Sequence, residues 1–167
     1  GKYVYDYGLT DKTSVSIETL AGIKYLEFTF GDEEKNGRKT VELVRVNMGA
    51  PILAPEDVPV DLPDAGDIVQ DYPIMVAGKE YRITCVSMGN PHCVSFVDDF
   101  PLEEVGPLFE NNPIFPRRVN AEFVELVSPT YAKMRVWERG TGETLACGTG
   151  TCATAVACIL NGKTEDE

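Results

Sequence analysis

Cys147 lies immediately before a glycine-rich turn that opens a helix of small residues. A thiol at the start of a helix faces unpaired backbone N–H groups and the positive end of the helix dipole, and both favour the thiolate over the thiol. The N–H groups of Gly148, Thr149 and Gly150 can hold an anion such as a substrate carboxylate. This stretch therefore predicts a base beside an anion site. The competing interpretation is a buried cysteine that acts only as a small hydrophobe.

A strand leads into this turn and ends in an acidic and a basic side chain. Arg135 and Trp137 belong to a strand-like run that ends in Glu138-Arg139. Because the loop from strand to helix is short, we expect Glu138, Arg139 and Cys147 to lie near one another at the end of a sheet. The alternative is an exposed ion pair of little energetic value.

Asn90 and His92 stand in a Gly-Asn-Pro-His turn between two further predicted strands, and Asn120 begins another strand. Side chains at strand ends point to where a ligand can reach them. Together with Glu138 and Arg139 they predict a pocket suited to a zwitterion, in which amides and arginine bind carboxylates and glutamate binds an ammonium group. Taken singly, His92 also fits a histidine satisfied by a backbone partner, and the asparagines fit ordinary turn and strand-end residues.

Composition limits the function classes that fit the chain. The 167 residues are 43% hydrophobic and 25% charged, as in globular proteins, and the formal net charge is −12. This charge argues against binding to nucleic acid or to an anionic membrane, since both need clustered Lys and Arg. No apolar run reaches the length of a membrane span, and no secretory leader opens the chain. We therefore expect a soluble, cytoplasmic protein.

The five cysteines fit neither a disulfide framework nor a zinc site. Their number is odd, which favours reduced thiols. Cys147, Cys152 and Cys158 cluster in sequence and His92 adjoins Cys93, but a Cys-x-x-Cys pair is lacking. Cys152 and Cys158 are on different faces of the predicted helix. We predict no metal site and expect Cys152 and Cys158 to pack in the core.

The pattern along the chain is mostly strand. Residues 14–20 alternate in polarity, Ala21-Gly22 turns, and residues 23–30 alternate back, which predicts a β-hairpin. A polar loop is predicted at 31–38, and a proline-rich connector at 49–73. The remaining predicted strands are 41–48, 74–76, 80–86, 92–97, 119–127 and 131–138, and the predicted helices are a short one near 102–110 with Pro101 in its first turn and one at 150–161.

These elements predict two units, residues 1–48 and residues 49–167. The stretch from Lys2 to Gly8 resembles the last turns of a helix that stops at a glycine, and the last predicted helix ends at Asn161-Gly162. A helix tail followed by strands, and then strands followed by a helix, suggests two units of related design. We expect both chain ends to be cuts through a larger protein.

Three motifs resemble those of the diaminopimelate epimerase family. They are Gly-Asn-Pro-His-Cys at 89–93, Val-Asn-Ala at 119–121 and Glu-Arg-Gly-x-Gly-Glu-Thr-x-Ala-Cys-Gly-Thr-Gly at 138–150. Their order and spacing match, as do the segments at 2–12 and 46–51, so the resemblance covers essentially the whole chain. It implies an α+β fold of two pseudo-symmetric halves, each a barrel-like sheet around a central helix, here truncated at both ends.

The resemblance also implies a cofactor-independent epimerase that interconverts LL- and meso-diaminopimelate with two cysteines, one on each face of the substrate α-carbon. Cys147 matches one of these cysteines, and His92 and Glu138 match residues that modulate thiol ionisation. The substrate is a small amino acid, and we allow for a homodimer. The positions that match substrate-binding residues are Asn90, Asn120, Glu138, Arg139, Gly148 and Thr149.

One departure from the family pattern concerns the second cysteine. In the family it lies in a Cys-Gly-Asn-Gly-Ala-Arg-Cys segment just upstream of the residues that match 2–8, and neither Cys85 nor Cys93 has a glycine-rich helix start behind it. We therefore expect half an active site and no activity of this chain alone. The alternatives are a related racemase of the same superfamily, a cysteine–histidine acyl-transfer enzyme using Cys147 and His92, and an inert ligand-binding module.

Overall fold

The computed structural model describes residues 1–19, 22–35, 37–99 and 102–165. The chain divides into two compact units, residues 1–49 and residues 50–167. Both contain antiparallel strands and at least one helix, which confirms the predicted α+β class. The assignment of each unit to one half of an epimerase stays a prediction.

The first unit is a three-stranded antiparallel sheet with a short helix. Leu26, Phe28 and Val41 form its core. The predicted hairpin is confirmed, because β1 pairs with β2 from Ser14↔Glu27 to Thr19↔Gly22; Ala21 of the predicted turn lies outside the described residues. The predicted helix tail is confirmed as well, and Gly8 follows it with φ of +71°. The elements are α1 (Lys2–Asp6), β1 (Ser14–Thr19), β2 (Gly22–Lys35) and β3 (Arg38–Asn47).

The predicted loop at 31–38 is wrong. β2 continues to Lys35 and pairs with β3 as far as Lys35↔Arg38, with register shifts at Phe30. Most side chains of residues 31–35 are exposed, so this end of the ribbon needs no alternation of apolar and polar residues. The alternation that marks a half-buried strand is therefore missing from the sequence, although the backbone pairing is present.

The second unit contains a six-stranded sheet in the order β4-β5-β6-β7-β8-β9. Each neighbouring pair is antiparallel except β6 and β7, which are parallel and are joined by a crossover that contains α2. β9 was not predicted, because three residues inside a glycine-rich turn carry no strand pattern. The elements are β4 (Tyr72–Val76), β5 (Lys79–Ser87), β6 (Pro91–Phe96), α2 (Leu102–Glu110), β7 (Asn120–Ser128), β8 (Tyr131–Glu138), β9 (Gly142–Thr144) and α3 (Gly148–Leu160).

Both faces of this sheet are buried at its centre. On one face, Cys93 and Phe123 pack with Phe109 of α2 in the main hydrophobic core. On the other face the alternating residues meet α3, since the Thr154 hydroxyl contacts Met134 and Gly150 adjoins Glu122. β6 and the first half of β7 are therefore buried on both sides.

Other predicted features of this unit are confirmed or corrected by packing. The predicted connector contains no regular strand before β4, which begins at Tyr72, two residues earlier than predicted, and Val58, Val60 and Val69 are buried in the main core. The last helix starts at Gly148, two residues earlier than predicted. Cys158 is buried as expected, whereas Cys152 is only half-buried because it lies toward the solvent side of α3. Pro101 lies outside the described residues.

Within the described ranges, no helix combines the length and apolar character needed to cross a bilayer.

Candidate active site

Cys147 is the N-cap residue of α3. Its backbone is extended, with φ of −133° and ψ of 105°, and its Sγ accepts a hydrogen bond from the Gly150 N–H at 3.3 Å. The residue is 8% exposed, so the sulfur lies just beneath the surface. The helix thus begins with a sulfur in the position where serine or aspartate oxygen usually caps a helix.

A second hydrogen-bond partner of this sulfur is the Thr149 hydroxyl. Thr149 Oγ1 lies 3.5 Å from Cys147 Sγ and 3.3 Å from Asn90 Nδ2. Because the Asn90 amide N–H donates to Oγ1, the hydroxyl proton is free to point at sulfur. Cys147 Sγ therefore has one backbone donor and one hydroxyl neighbour that can donate to it.

His92 joins this network through Asn90. Its Nε2 lies 3.1 Å from Asn90 Oδ1, and its Nδ1 lies 2.6 Å from Glu122 Oε1. The ring is 0% exposed, and both nitrogens have side-chain partners rather than the backbone partner that the simplest interpretation expected. Asn90 and Thr149 stand between His92 and Cys147. The acyl-transfer alternative, which needs His92 in direct contact with the thiol, is therefore not supported.

Glu122 was missed by the sequence analysis. It is 0% exposed, and among the residues that the structure describes its Oε2 has no hydrogen-bond partner. Burial, with the charge of Glu138 in the same direction, raises the pKa of Glu122 well above its ordinary value. Burial also lowers the pKa of His92 to about 4, against the effect of Glu138 and with that of Arg139. Burial thus disfavours the charged form of both groups.

A signal for Glu122 exists in the strand register. His92 pairs with Asn120 across the parallel β6 and β7 strands, so Glu122, two residues further along, shares the face of Asn120. A single carboxylate within an otherwise apolar, buried stretch of a strand is the sequence pattern that indicates such a residue. The parallel pairing itself was not predicted, and without it the proximity to His92 cannot be deduced.

Asn120 uses both ends of its amide to hold backbone. Its Nδ2 donates to the Pro91 carbonyl at 3.0 Å, and its Oδ1 accepts from the Arg139 N–H at 2.9 Å. The side chain is 4% exposed. Asn120 thereby ties the start of β6 to the turn after β8, and one amide N–H remains for a ligand.

Glu138 ends β8 and Arg139 follows it in the turn to β9, and both are half-buried. The Thr144 hydroxyl donates to Glu138 Oε1, and Arg139 Nη1 donates to the Arg117 carbonyl at 2.9 Å. The charges of both residues act on His92. The turn is therefore brought to the same region as His92.

A second missed residue, Glu110 at the end of α2, anchors this turn. Its carboxylate accepts from Trp137 Nε1 at 2.8 Å, from the Gly140 N–H at 2.8 Å and from Arg118 Nη1 at 2.9 Å. Burial alone would raise the pKa of Glu110, but the Trp137 and Gly140 donors and the Arg118 charge outweigh it and lower the pKa. Glu110 thus holds the Trp137 side chain before Glu138 and the Gly140 backbone after Arg139.

Comparison with known families identifies the chain. Residues 84–167, about half of the chain, match the family model described as diaminopimelate epimerase. The chain belongs to the diaminopimelate epimerase family. A diaminopimelate epimerase of Acetivibrio thermocellus is 55% identical over 99% of this chain, and one of Agathobacter rectalis is 57% identical over 99%. The chain spans 57% and 59% of the lengths of these relatives.

The fold of the chain is also similar to that of solved structures from outside the diaminopimelate epimerases. A hydroxyproline epimerase from Agrobacterium vitis matches 98% of the chain with a TM-score of 0.65 and 14% identity, over 50% of its own length. A Bacillus anthracis phenazine biosynthesis protein of the PhzF family matches 95% with a TM-score of 0.52 and 17% identity, over 54% of its length. At these identities the likeness concerns the fold alone.

Hydrogen bonds join four of the predicted site residues, Cys147, Thr149, Asn90 and His92. Asn120 is bonded to the Arg139 backbone, and Glu138 and Arg139 act on His92 through their charges. The predicted site residues are not equally accessible. His92, Asn120 and Cys147 are buried. Their catalytic and substrate-binding roles stay predictions. The predicted site residues that are half-buried are Asn90, Glu138, Arg139 and Thr149, and Gly148 is exposed.

Proposed function

We propose that the protein to which this chain belongs interconverts LL- and meso-diaminopimelate without a cofactor, and that Cys147 is one of its two catalytic bases. The observation that carries the proposal is the environment of Cys147 Sγ at the start of α3, where the Gly150 N–H donates to it and the Thr149 hydroxyl lies within hydrogen-bond distance. The names of the relatives supply the substrate.

Removal of an α-proton from an amino acid needs a base together with donors for the charge that develops on the carboxylate. The Gly148 and Thr149 N–H groups lie in the first turn of α3, where backbone donors have no acceptor within the helix. A substrate carboxylate bound there would place its α-carbon beside Cys147. The helix start therefore supports both binding and proton abstraction.

The polar side chains around the thiol suit the rest of the reacting centre. Arg139, Asn90 and the remaining Asn120 N–H can bind a carboxylate, and Glu138 can bind an ammonium group. Glu138 and His92 also bring ionisable groups near the thiol network. We infer from this set that the substrate is a zwitterionic amino acid, and a homodimer stays a prediction.

Inversion at carbon needs a second acid on the opposite face. Cys85 and Cys93 lie opposite each other on β5 and β6 in the core with α2, on the far face of the sheet from α3. Burial, with Cys85 beside it, raises the pKa of Cys93 well above its ordinary value. Burial also raises the pKa of Cys158. We therefore assign the second base to the upstream cysteine that the family resemblance implies, and we propose that this chain alone is inactive.

The test is α-proton exchange from LL- or meso-diaminopimelate in deuterated water. It compares the 167-residue chain with the extended protein, by which we mean the chain carried to the full length of its relatives. The extended protein is expected to exchange and invert the α-carbon, and the short chain is not. Replacing Cys147 by Ala in the extended protein should lower the rate about a hundredfold to ten-thousandfold, the range typical of a lost general base.

The matched control is Cys152→Ala, which removes a half-buried thiol from the same helix. This variant should retain exchange within about threefold. Inversion by the short chain alone would overturn the two-cysteine proposal. Absence of exchange by the extended protein would overturn the assignment of the reaction.

A further inference from the structure

We propose that Glu122 is a positioning residue that fixes the direction of the hydrogen-bond chain ending on Cys147. The proposal deepens the proposed function and depends on it only for the activity readout. Among the described residues no hydrogen bond joins Glu122 directly to the Cys147 thiol, and a chain of hydrogen bonds through other groups connects them. These groups are His92, Asn90 and Thr149.

The chain has a consistent direction from one end to the other. The protonated Glu122 carboxyl donates to His92 Nδ1, so the single proton of the neutral ring is on Nε2. Nε2–H then donates to Asn90 Oδ1, which turns the Asn90 amide N–H toward Thr149 Oγ1. The Thr149 hydroxyl, already an acceptor, donates to sulfur.

The burial of Glu122 supports this polarity. A carboxylate at 0% exposure would leave a charged Oε2 without a donor from the described residues, which is far more costly than a neutral oxygen in the same place. The neutral acid resolves this, because the proton is on the oxygen that faces His92. A glutamate with no positioning role has no evident reason to occupy this buried site.

The packing of α3 against β7 holds the carboxyl in place. A Cβ added at Gly150 would lie 2.7 Å from Glu122 Oε1 and 3.2 Å from Cys147 Sγ. The absence of a side chain at Gly150 thus lets the acid approach the first turn of the helix that carries the thiol. Glu122 is fixed from two sides, by His92 and by the helix backbone.

The decisive measurement is the tautomer of His92. In the extended protein labelled with ¹⁵N-histidine, the His92 signals are identified by their loss in His92→Gln. At pH 7 we expect a proton on Nε2 and none on Nδ1 in the wild type. Glu122→Gln, whose amide N–H can also donate to Nδ1, should keep this tautomer. Glu122→Leu, which removes the donor but keeps the apolar volume, should populate both tautomers.

Two functional readouts accompany the spectrum. Glu122→Leu should lower kcat about tenfold with KM unchanged, since Glu122 is shielded from substrate, and should slow alkylation of Cys147 by a similar factor. Glu122→Gln should retain the wild-type kcat and the wild-type rate of Cys147 alkylation. The control is Glu125→Leu on the same strand, where the carboxylate only pairs with exposed Lys133.

The outcomes separate this inference from the proposed function. A wild-type His92 protonated on Nδ1, or a Glu122→Leu variant that keeps the single Nε2–H tautomer, would overturn the inference whatever the activity. An extended protein that shows the expected tautomers without proton exchange would overturn the proposed function instead. The wild-type spectrum determines the direction of the hydrogen-bond chain even if Glu122→Leu does not fold.

Discussion

His92 and Glu122 lie entirely out of contact with solvent, and at such positions the cost of desolvating a charge decides which protonation state is present. The same two atoms at 2.6 Å could hold either an ion pair or a neutral pair. An ion pair buried without further donors seldom repays its desolvation cost. The neutral pair also leaves each group in the state needed to orient its neighbour.

Opposite pKa shifts of the two groups predict a pH dependence of stability. His92, lowered from 6.5 to about 4, contributes stability that is present above pH 6.5 and is lost as the pH falls toward 4. Glu122, raised above 4.5, contributes stability that is present below pH 4.5 and is lost as the pH rises. Between pH 4.5 and pH 6.5 the two groups change the free energy of unfolding in opposite directions as the pH rises. Glu138 faces both groups, and Arg139 faces His92.

Glu122→Leu should therefore make the unfolding free energy rise more steeply with pH between about 4.5 and 6.5. The limit is about 1.4 kcal/mol per pH unit for one proton. Urea unfolding at several pH values measures the slope, with Glu125→Leu as the control. Parallel curves for wild type and Glu122→Leu would contradict the assigned protonation states.

Gly150→Ala should disturb the site, whereas Gly148→Ala should not. The added Cβ at Gly150 meets Glu122 Oε1 and Cys147 Sγ at under 3.3 Å, while the Cβ at Gly148 meets nothing within 4 Å. We expect Gly150→Ala to destabilise the fold by roughly 1–3 kcal/mol and to slow Cys147 alkylation. Gly148→Ala should stabilise the helix by up to about 1 kcal/mol. Denaturant unfolding distinguishes the two, and equal effects would contradict this packing.

At the scale of elements, the turn between β8 and β9 depends on a helix that is distant in sequence. Glu110 at the end of α2 holds Trp137 before the turn and Gly140 within it, and Asn120 of β7 holds the Arg139 N–H. The two residues proposed to bind substrate are therefore placed by α2 and β7. The turn is anchored at its backbone, which leaves the Glu138 and Arg139 side chains accessible.

Glu110→Ala should destabilise the protein by about 2–3 kcal/mol, because it removes one buried acceptor from three donors. The indole N–H of Trp137, the only tryptophan in the chain, loses its partner, so its fluorescence should change as well. Denaturant unfolding monitored by this fluorescence is the measurement. Glu104→Ala, an exposed site on the same helix, should remain within about 0.5 kcal/mol of wild type. Equal effects of the two substitutions would show that Glu110 is not an anchor.

Local patterns predicted most elements but not the contacts between them. Alternation predicted the first hairpin, and the strands that became β5, β7 and β8 were predicted as well. The motifs also singled out Cys147, Asn90 and His92, whose functional roles stay predictions. Glu122 and Glu110 were missed because their roles arise from the parallel β6–β7 register and from the packing of α2, which no local pattern encodes. The paired end of β2 was missed because an exposed ribbon can be polar on both faces.

At the scale of the whole molecule, the two units differ greatly in the size of their cores. The first unit buries Leu26, Phe28 and Val41, whereas the second buries a cluster built around Ile83, Phe109 and many other apolar side chains. Local stability follows buried apolar area. The first unit is therefore expected to open more readily than the second.

Native-state hydrogen exchange of the 167-residue chain should show this difference. Amides of β1 to β3 are expected to exchange at least about tenfold faster than the paired amides of β5 to β7, because their opening exposes less apolar surface. Mass spectrometry of peptic peptides resolves the two sets. Equal protection in both units would indicate that they unfold as one cooperative body.

The parallel pairing of β6 with β7 also governs the order of events during folding. His92 and Glu122 are 30 residues apart in the chain and meet only when the crossover that contains α2 has closed. Closing such a loop costs entropy before any contact compensates for it, so distant parallel pairings tend to form late. Because burial raises the pKa of the Glu122 carboxyl well above its ordinary value, burial of the pair favours proton uptake by this group. The site is thus assembled in the same late step that completes the sheet, and its folding rate should fall as the pH rises.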